Sequence, residues 1–528
     1  MNYGFETRCI HGNGTDEKTH SYGSVAVPIY QAATFAHPGI GKSTGYDYTR
    51  ESNPTRTELE HTMSALEGAV DTVACANGMA AVGLCLELFD RGDHILCTDD
   101  LYGGSVRMFE SVGGKRGLEF SYVDTADADL VEAGIRENTK ALYIETPSNP
   151  TMRVTDLRKM KEIADKHDLK IIVDNTFLSP LFQRPIELGA DLVIHSGTKF
   201  LGGHNDTLAG FLCSADEETA KKIRYIYKTV GSCLAPFDSY LILRGIKTLS
   251  VRLRAQQDNA MKIANWLKGH KKVKQVYYVG LKEHPGYEVN ASQASGFGSM
   301  ISFKVDSEAT ARKLLESVKL IAYAESLGGV ESLITYPMLQ THGDLPVEVR
   351  EKLGITEDFL RLSVGIENAD DLIADLEQAL AEEDIQMKFD FDKVVDRHGT
   401  KCLKYDFAKE RGRSDDMLPL WVADMDFPTA PGIQERFSEA VAHGIYGYSE
   451  GKDDYFLAAA GWYEKHFGWK VEKEWLIKTP GVVFALAMAV KAYTEEGDAV
   501  LLQQPVYYPF SEVITDNHRR FLKIVSWN

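Results

Sequence analysis

Cysteine is sparse in this sequence. Seven residues, at positions 9, 75, 85, 97, 213, 233 and 402, are scattered with no Cys-x-x-Cys pair among them. That spacing excludes a disulfide framework, offers no zinc-ligand set and implies no metal site; reduced, buried thiols are expected. Positive charge is also short. With 58 Lys and Arg against 77 Asp and Glu, the net charge is −19, which argues against nucleic acid or an anionic membrane as partner. No apolar run reaches membrane-spanning length, and the first residues, MNYGFETRCIHGNG, lack the apolar core of a signal peptide. A cytoplasmic protein is expected. Gly113-Gly-Lys115 has neither the glycine spacing nor the following Ser/Thr of a nucleotide loop. What remains is an ordinary globular composition, 44% hydrophobic and 26% charged. At 528 residues it is too long for one core.

Chemistry is concentrated around Lys199. It follows the apolar run Leu192–His195 inside Ser196-Gly-Thr-Lys199 and precedes Gly202-Gly203. Small residues there let a ligand approach the backbone, and a lysine so placed can be desolvated, lose its proton and form an imine with an aldehyde. A second apolar run, Leu169–Asp174, ends in an acid. Pyridoxal phosphate needs such a pair: a lysine for its aldehyde, and a carboxylate that keeps the ring nitrogen protonated. Either residue alone would read as a surface lysine or a strand-end aspartate; the pairing gives them meaning.

Residues 1–60 are rich in Gly, Thr, Tyr and Pro without a sustained period, and read as an N-terminal arm. From 61 to about 245 a large α/β domain is expected. Its predicted strands are Thr72–Cys75, His94–Cys97, Glu119–Val123, Ala141–Glu145, Lys170–Asp174 and Leu192–His195, alternating with amphipathic stretches such as Asp156–His167. That alternation predicts a mainly parallel sheet whose ligands collect at the strand carboxyl ends. Residues 246–383 read as a smaller α+β domain with long helices, a strand in Phe297–Val305, a loop Ser326–Thr341 and a final helix Ala369–Glu382. A linker at 384–395 follows, and then a further module over 396–528.

Gly78 and Met79 follow a strand and open a helix, where free N–H groups and the helix dipole can hold a phosphate; Ser196 and Thr198 can add hydroxyl donors. His195 and His204 flank the lysine and read as structural. Seven blocks then line up: Tyr46–Arg50 with Asn53-Pro-Thr-Arg56, Asn77–Ala81, Asp100–Gly104, Glu145-Thr-Pro-Ser-Asn-Pro150, Val173–Thr176, Ser196–Lys199 and Leu360–Glu367. In this order they closely resemble the Cys/Met-metabolism family of pyridoxal-phosphate enzymes, over the whole of residues 1–383. The resemblance implies the pyridoxal-phosphate-dependent transferase fold (fold type I), a mainly parallel sheet sandwiched by helices plus a small C-terminal domain. It implies that Tyr102 stacks on the pyridine ring and can move protons. It implies that Arg361 clamps a substrate α-carboxylate with help from Asn149 and the Ser326 region. It also implies that Tyr48 and Arg50 reach a phosphate bound by a neighbouring subunit, in a homo-oligomer, a dimer of dimers. Read alone, Tyr48 and Arg50 are a solvated feature of a polar arm, Tyr102 a core aromatic and Arg361 half of an ion pair.

Within the family, a carboxylate at Glu325 resembles cystathionine γ-synthases and γ-lyases more than β-lyases. Gly104 stands where methionine γ-lyases tend to carry cysteine, and Asn77 stands where serine is commoner. The expected activity is cystathionine γ-synthase, making cystathionine from an O-acylhomoserine and cysteine in methionine and cysteine biosynthesis. The alternatives are γ-lyase, β-lyase and O-acetylhomoserine sulfhydrylase. Residues 387–528 resemble the first third of MalY/PatB-type C–S β-lyases, through Leu418–Phe427, Tyr446-Gly-Tyr448, Thr479–Val483 and Gln504–Phe510. That resemblance implies a partial second copy of a related fold. In it Gly481–Val483 would face phosphate, Tyr507 would stack, and Tyr448 would serve a neighbour. With only 21 residues after Tyr507, against 97 between Tyr102 and Lys199, the tail is expected to lack its own lysine and aspartate. A truncated fusion is expected, with an interaction module as its rival.

Overall fold

The apolar runs between 71 and 214 assemble into one seven-stranded sheet. In the computed structural model its strands are β1 (Asp71–Cys75), β2 (His94–Thr98), β3 (Glu119–Val123), β4 (Thr139–Glu145), β5 (Lys170–Asp174), β6 (Leu192–Ser196) and β7 (Gly210–Ser214). Their order across the sheet is β1-β7-β6-β5-β4-β2-β3. β2 to β6 pair in parallel, while β7 runs antiparallel between β1 and β6. The structure describes residues 3–12, 23–340, 342–343, 347–381, 393–414, 417–421 and 423–525. It divides into two units, Met1–Glu383 and Asp384–Asn528.

The strands read as continuous apolar runs because both faces are covered. Leu142, Ile144, Ile171, Val173 and Val193 point into one core; Ala141, Tyr143, Ile172, Leu192 and Ile194 point into the other. Truncating one of these leucines or isoleucines to alanine would cost about 2–5 kcal/mol. Alternation has a further consequence. Glu145, Asp174 and Ser196 each lie two positions beyond Tyr143, Ile172 and Ile194, so they continue the same face past the end of the core.

Three sequence expectations need correction. β7 was not expected; it fills the gap between β1 and β6, and a five-residue apolar run carries too little periodicity to identify itself. The arm is not free of core. A helix, Pro54–Glu67, starts inside it, with the Asn53 side chain accepting from Thr55 N and Pro54 in the first turn, and its Leu59, Met63 and Leu66 are buried. By contrast, residues 23–50 form only isolated bridges, Thr34 with Tyr48 and Gly39 with Lys42. The loop Ser326–Thr341 contains a short strand, Leu333–Thr335.

The smaller sheet has the order β10-β11-β12-β9-β8. Its members are β8 (Val273–Tyr277), β9 (Met300–Val305), β10 (Ala322–Tyr323), β11 (Leu333–Thr335) and β12 (Phe359–Ser363). The helices Leu249–Gly269, Glu308–Ser317 and Ala369–Leu380 supply its core through Ile263, Leu267, Leu314, Leu372 and Leu376. In β12, Arg361 registers with Ser302 on one side and Thr335 on the other.

The second unit holds the helices Pro431–His443, Asp453–Phe467, Val482–Tyr493 and Pro509–Asp516, and a parallel pair, β13 (Ala499–Gln504) with β14 (Arg520–Val525). The first three of these helices bury no residue. The linker expected at 384–395 lies outside the described residues except for its last three. All seven cysteines are free, and six are buried. No helix among the described residues is long and apolar enough to cross a membrane.

Candidate active site

The carboxyl ends of β4, β5 and β6 share one edge of the large sheet, and a cavity of about 360 Å³ opens there. Lining it are Gly78, Met79, Tyr102, Asn149, Asp174, Ser196, Thr198, Lys199, Glu325, Ser326 and Arg361, every expected site residue but two. The exceptions are Tyr48 and Arg50, which lie outside it. Tyr48 is exposed, and the Arg50 guanidinium stands 5.4 Å from the Tyr48 ring centroid and donates to Lys228 O.

Lys199 donates from Nζ to Ser326 Oγ at 2.8 Å. Burial, reinforced by the Arg361 charge and opposed by Glu325, brings its ammonium down to about 8. An amine that sheds its proton near neutrality is a competent nucleophile and base. Asp174 Oδ1 takes both Thr176 donors, N at 3.0 Å and Oγ1 at 2.6 Å. Burial raises the Asp174 carboxyl above its ordinary value, and the Thr176 bonds oppose that rise only in part. With both donors on Oδ1, Oδ2 remains for a ligand's N–H.

Arg361 is buried, and no carboxylate among the described residues forms an ion pair with it. Nη1 donates to Asn149 Oδ1 at 2.8 Å; Nη2 donates to Ser326 O and Thr335 Oγ1, both at 3.2 Å; Nε has no partner among the described residues. Burial drives its pKa down to about 10. A desolvated guanidinium held only by neutral groups is costly until an anion arrives. Ser326, which touches both Lys199 and Arg361, sits at φ 94°, a conformation that costs a non-glycine residue about 1–3 kcal/mol and is tolerated where function over-determines it.

These residues fit pyridoxal phosphate. The helix Gly78–Leu86 opens on the cavity with Asn77 capping Ala80 N, which leaves the N–H groups of Gly78 and Met79 for an anion. A Cβ at Gly78 would stand 3.1 Å from Ser196 Oγ, so the cradle is close-built. A Cβ at Gly104 would stand 2.4 Å from the Tyr102 ring, so glycine there lets the ring lie over the slot. Thr198 Oγ1 also accepts from Ala209 N at 3.1 Å, which ties the lysine loop to β7.

Several residues at the cavity were not singled out from the sequence. Glu145 ends β4 in register with Asp174 and accepts from Tyr102 N at 2.9 Å. The strand-end position that identified Asp174 would have identified it too. Thr176 and Thr335 had no signal beyond being hydroxyls near an acid and an arginine. His342, buried close to the Arg361 and Asp100 charges, is held below the ordinary imidazole range mainly by burial. His195, on the opposite face of β6 from the cavity, pairs with buried Glu67 at 2.8 Å. His204 bonds Gly202 O. Neither histidine lines the cavity.

The family model described as "Cys/Met metabolism PLP-dependent enzyme" matches residues 6–381. Cystathionine gamma-lyase of Bacillus subtilis is 48% identical over 376 residues, covering 71% of this chain and 98% of its own length. Cystathionine beta-lyase of Lactococcus lactis subsp. cremoris is 45% identical over 375 residues, with 71% and 98% covered. Among solved structures, cystathionine gamma synthase from Xanthomonas oryzae pv. oryzae, in complex with aminoacrylate and cysteine, superposes with a TM-score of 0.70 at 40% identity, covering 72% of this chain and 98% of that one. Matches of this extent, on a chain whose cavity gathers a depressed lysine, a strand-end aspartate and a helix N-terminus, show that it belongs to the Cys/Met metabolism family of PLP-dependent enzymes.

Proposed function

We propose that this transsulfuration enzyme works at the γ-carbon, as a cystathionine γ-synthase that joins an O-acylhomoserine to cysteine. The observation that carries the reading is Glu325. It lines the cavity beside Ser326, and its charge acts on both Lys199 and Arg361. A carboxylate there can hold the ammonium at the far end of a long amino-acid substrate, or position an incoming one.

Bound pyridoxal phosphate supplies an electron sink for charge developing at the substrate's α-carbon. Asp174, with Oδ2 left free by Thr176, would keep that sink effective by holding the ring nitrogen protonated, and Gly78, Met79, Ser196 and Thr198 would hold the phosphate. Arg361, aligned by Asn149 and Thr335, takes the α-carboxylate through its fork. That engagement competes with Ser326 O for Nη2, which links substrate arrival to the residue that holds Lys199. Lys199, whose ammonium sheds its proton near neutrality, would remove the α-proton and move protons on its side of the slot. Tyr102 covers the other face of the slot and sheds water from it.

A γ-lyase is the second reading, because elimination uses the same lysine, aspartate and arginine and differs only in whether a thiol adds. Assaying O-acetyl- and O-succinyl-homoserine with cysteine, beside cystathionine alone, separates the two. Faster cystathionine formation supports the synthase; faster cystathionine cleavage replaces it with the lyase.

Exposed Tyr48 and Arg50, in a segment with only isolated bridges, support sites completed across a homo-oligomer. Residues 61–245 would carry the cofactor and 246–383 the carboxylate clamp. Residues 396–528 would be the fused fragment of a C–S β-lyase-like protein and add no second site.

A further inference from the structure

The cavity contains an acid that the reaction, as described above, does not use. Glu145 and Asp174 are register partners at the ends of adjacent parallel strands, and both side chains line the same slot. Two carboxylates at neighbouring strand ends, away from water, disfavour each other's ionisation. Their donors decide which one does. Asp174 receives two hydrogen bonds from Thr176 and keeps an oxygen for a cationic ring N–H. Glu145 receives one backbone N–H, that of Tyr102, on Oε2.

The other charges around Glu145 divide. Asp100, on the loop after β2, is already loaded with Ser148 Oγ, Thr151 Oγ1 and Thr151 N. It adds negative potential, while Arg361 on β12 adds positive potential but is committed to the substrate carboxylate. We propose that Glu145 is a positioning residue that works as a neutral carboxylic acid, tying the Tyr102 backbone to the end of β4 and leaving Asp174 as the ionised member of the pair. Burial and the Asp174 charge both push Glu145 in that direction, well above the usual carboxylate range.

The role has a physical purpose. Tyr102 belongs to a loop rather than a strand and is 40% exposed; its carbonyl is tied to Ser105 N and Val106 N, and the bond from its N–H to Glu145 ties the other side of its backbone to the end of β4. An ionised Glu145 would still accept that bond, but it would share the ring proton's attraction with Asp174 and weaken the electron sink.

This inference rests on the pyridoxal-phosphate site but not on which sulfur substrate is used, and its test requires no turnover. Infrared difference spectra of loaded wild type minus loaded Glu145→Gln at neutral pH should show a protonated-carboxyl C=O band that Glu145→Gln lacks. Glu145→Gln should keep pyridoxal phosphate affinity within about twofold, whereas Glu145→Ala loosens it roughly tenfold and shifts the pH midpoint of the visible absorbance band. If Glu145→Gln does not fold, wild type grown with carboxyl-labelled glutamate must show that band displaced. Absence of the band, or a Gln variant as impaired as Ala, would overturn the proposal.

Discussion

The two units of this chain use the same kinds of element with opposite results. In the first, β5 and β6 send Ile172, Val193 and Ile194 into cores on both faces, each exposed by 1% or less. In the second, the helix Val482–Tyr493 is at least as apolar, yet Val482 is 68% exposed and Phe484 48%. Among its described residues only Cys402, Ala408, Val513 and Ile514 are buried hydrophobics. Secondary structure forms in both units because capping and propensity are local. The expected site residues that share a cavity all belong to the first unit. Placing Lys199, Asp174 and Arg361 requires strands packed on two sides, and Tyr448 in the second unit is wholly exposed, without that packing.

The sharpest way to break the comparison is Lys199→Ala. Turnover should fall by on the order of 10³-fold or more, with loss of the protein's visible band. Activity surviving in that variant would place chemistry elsewhere, the second unit included.

Next comes Arg361→Lys, which keeps a charge but loses the fork to Asn149 and Thr335. kcat/KM should drop about 10–100-fold, chiefly through KM. A change confined to kcat would remove Arg361 from substrate binding.

How well the site could be read follows the same division between local and packed features. Lys199 and Asp174 stood out because an apolar run ending in a charged residue is visible in one dimension. Gly78 and Met79 were visible as a strand-to-helix turn. Glu145 was equally visible but was read only as part of a block. Thr335 and His342 were not legible, because their roles depend on β11 pairing with β12 and on a loop returning beside Asn149, contacts far apart in sequence. β7 escaped for a related reason: its antiparallel course between β1 and β6 is a property of the sheet rather than of Gly210–Ser214.

A smaller effect concerns pH. Only the neutral amine captures an aldehyde, so pyridoxal phosphate uptake by cofactor-free protein should accelerate as pH rises through about 8, the Lys199 value, and level off above it. Arg361 lowers that value and Glu325 raises it. Arg361→Gln should therefore move the midpoint up and Glu325→Gln should move it down, as followed by stopped-flow absorbance. Shifts of the opposite sign would mean that these charges do not act on Lys199.

Glu325→Ala should slow cystathionine formation about tenfold, and slow breakdown of a substrate without a distal ammonium far less. Equal losses would make Glu325 structural. The smallest effect belongs to the second unit. Removing 384–528 should leave kcat per site unchanged and improve solubility, since exposed apolar surface of that kind promotes association.

The most direct test is to titrate full-length protein with pyridoxal phosphate, reduce it with borohydride and map the labelled peptides. One equivalent per chain, with the label on Lys199, is the predicted result. Two equivalents, or label on a lysine between 393 and 525, would contradict a single site confined to the first unit.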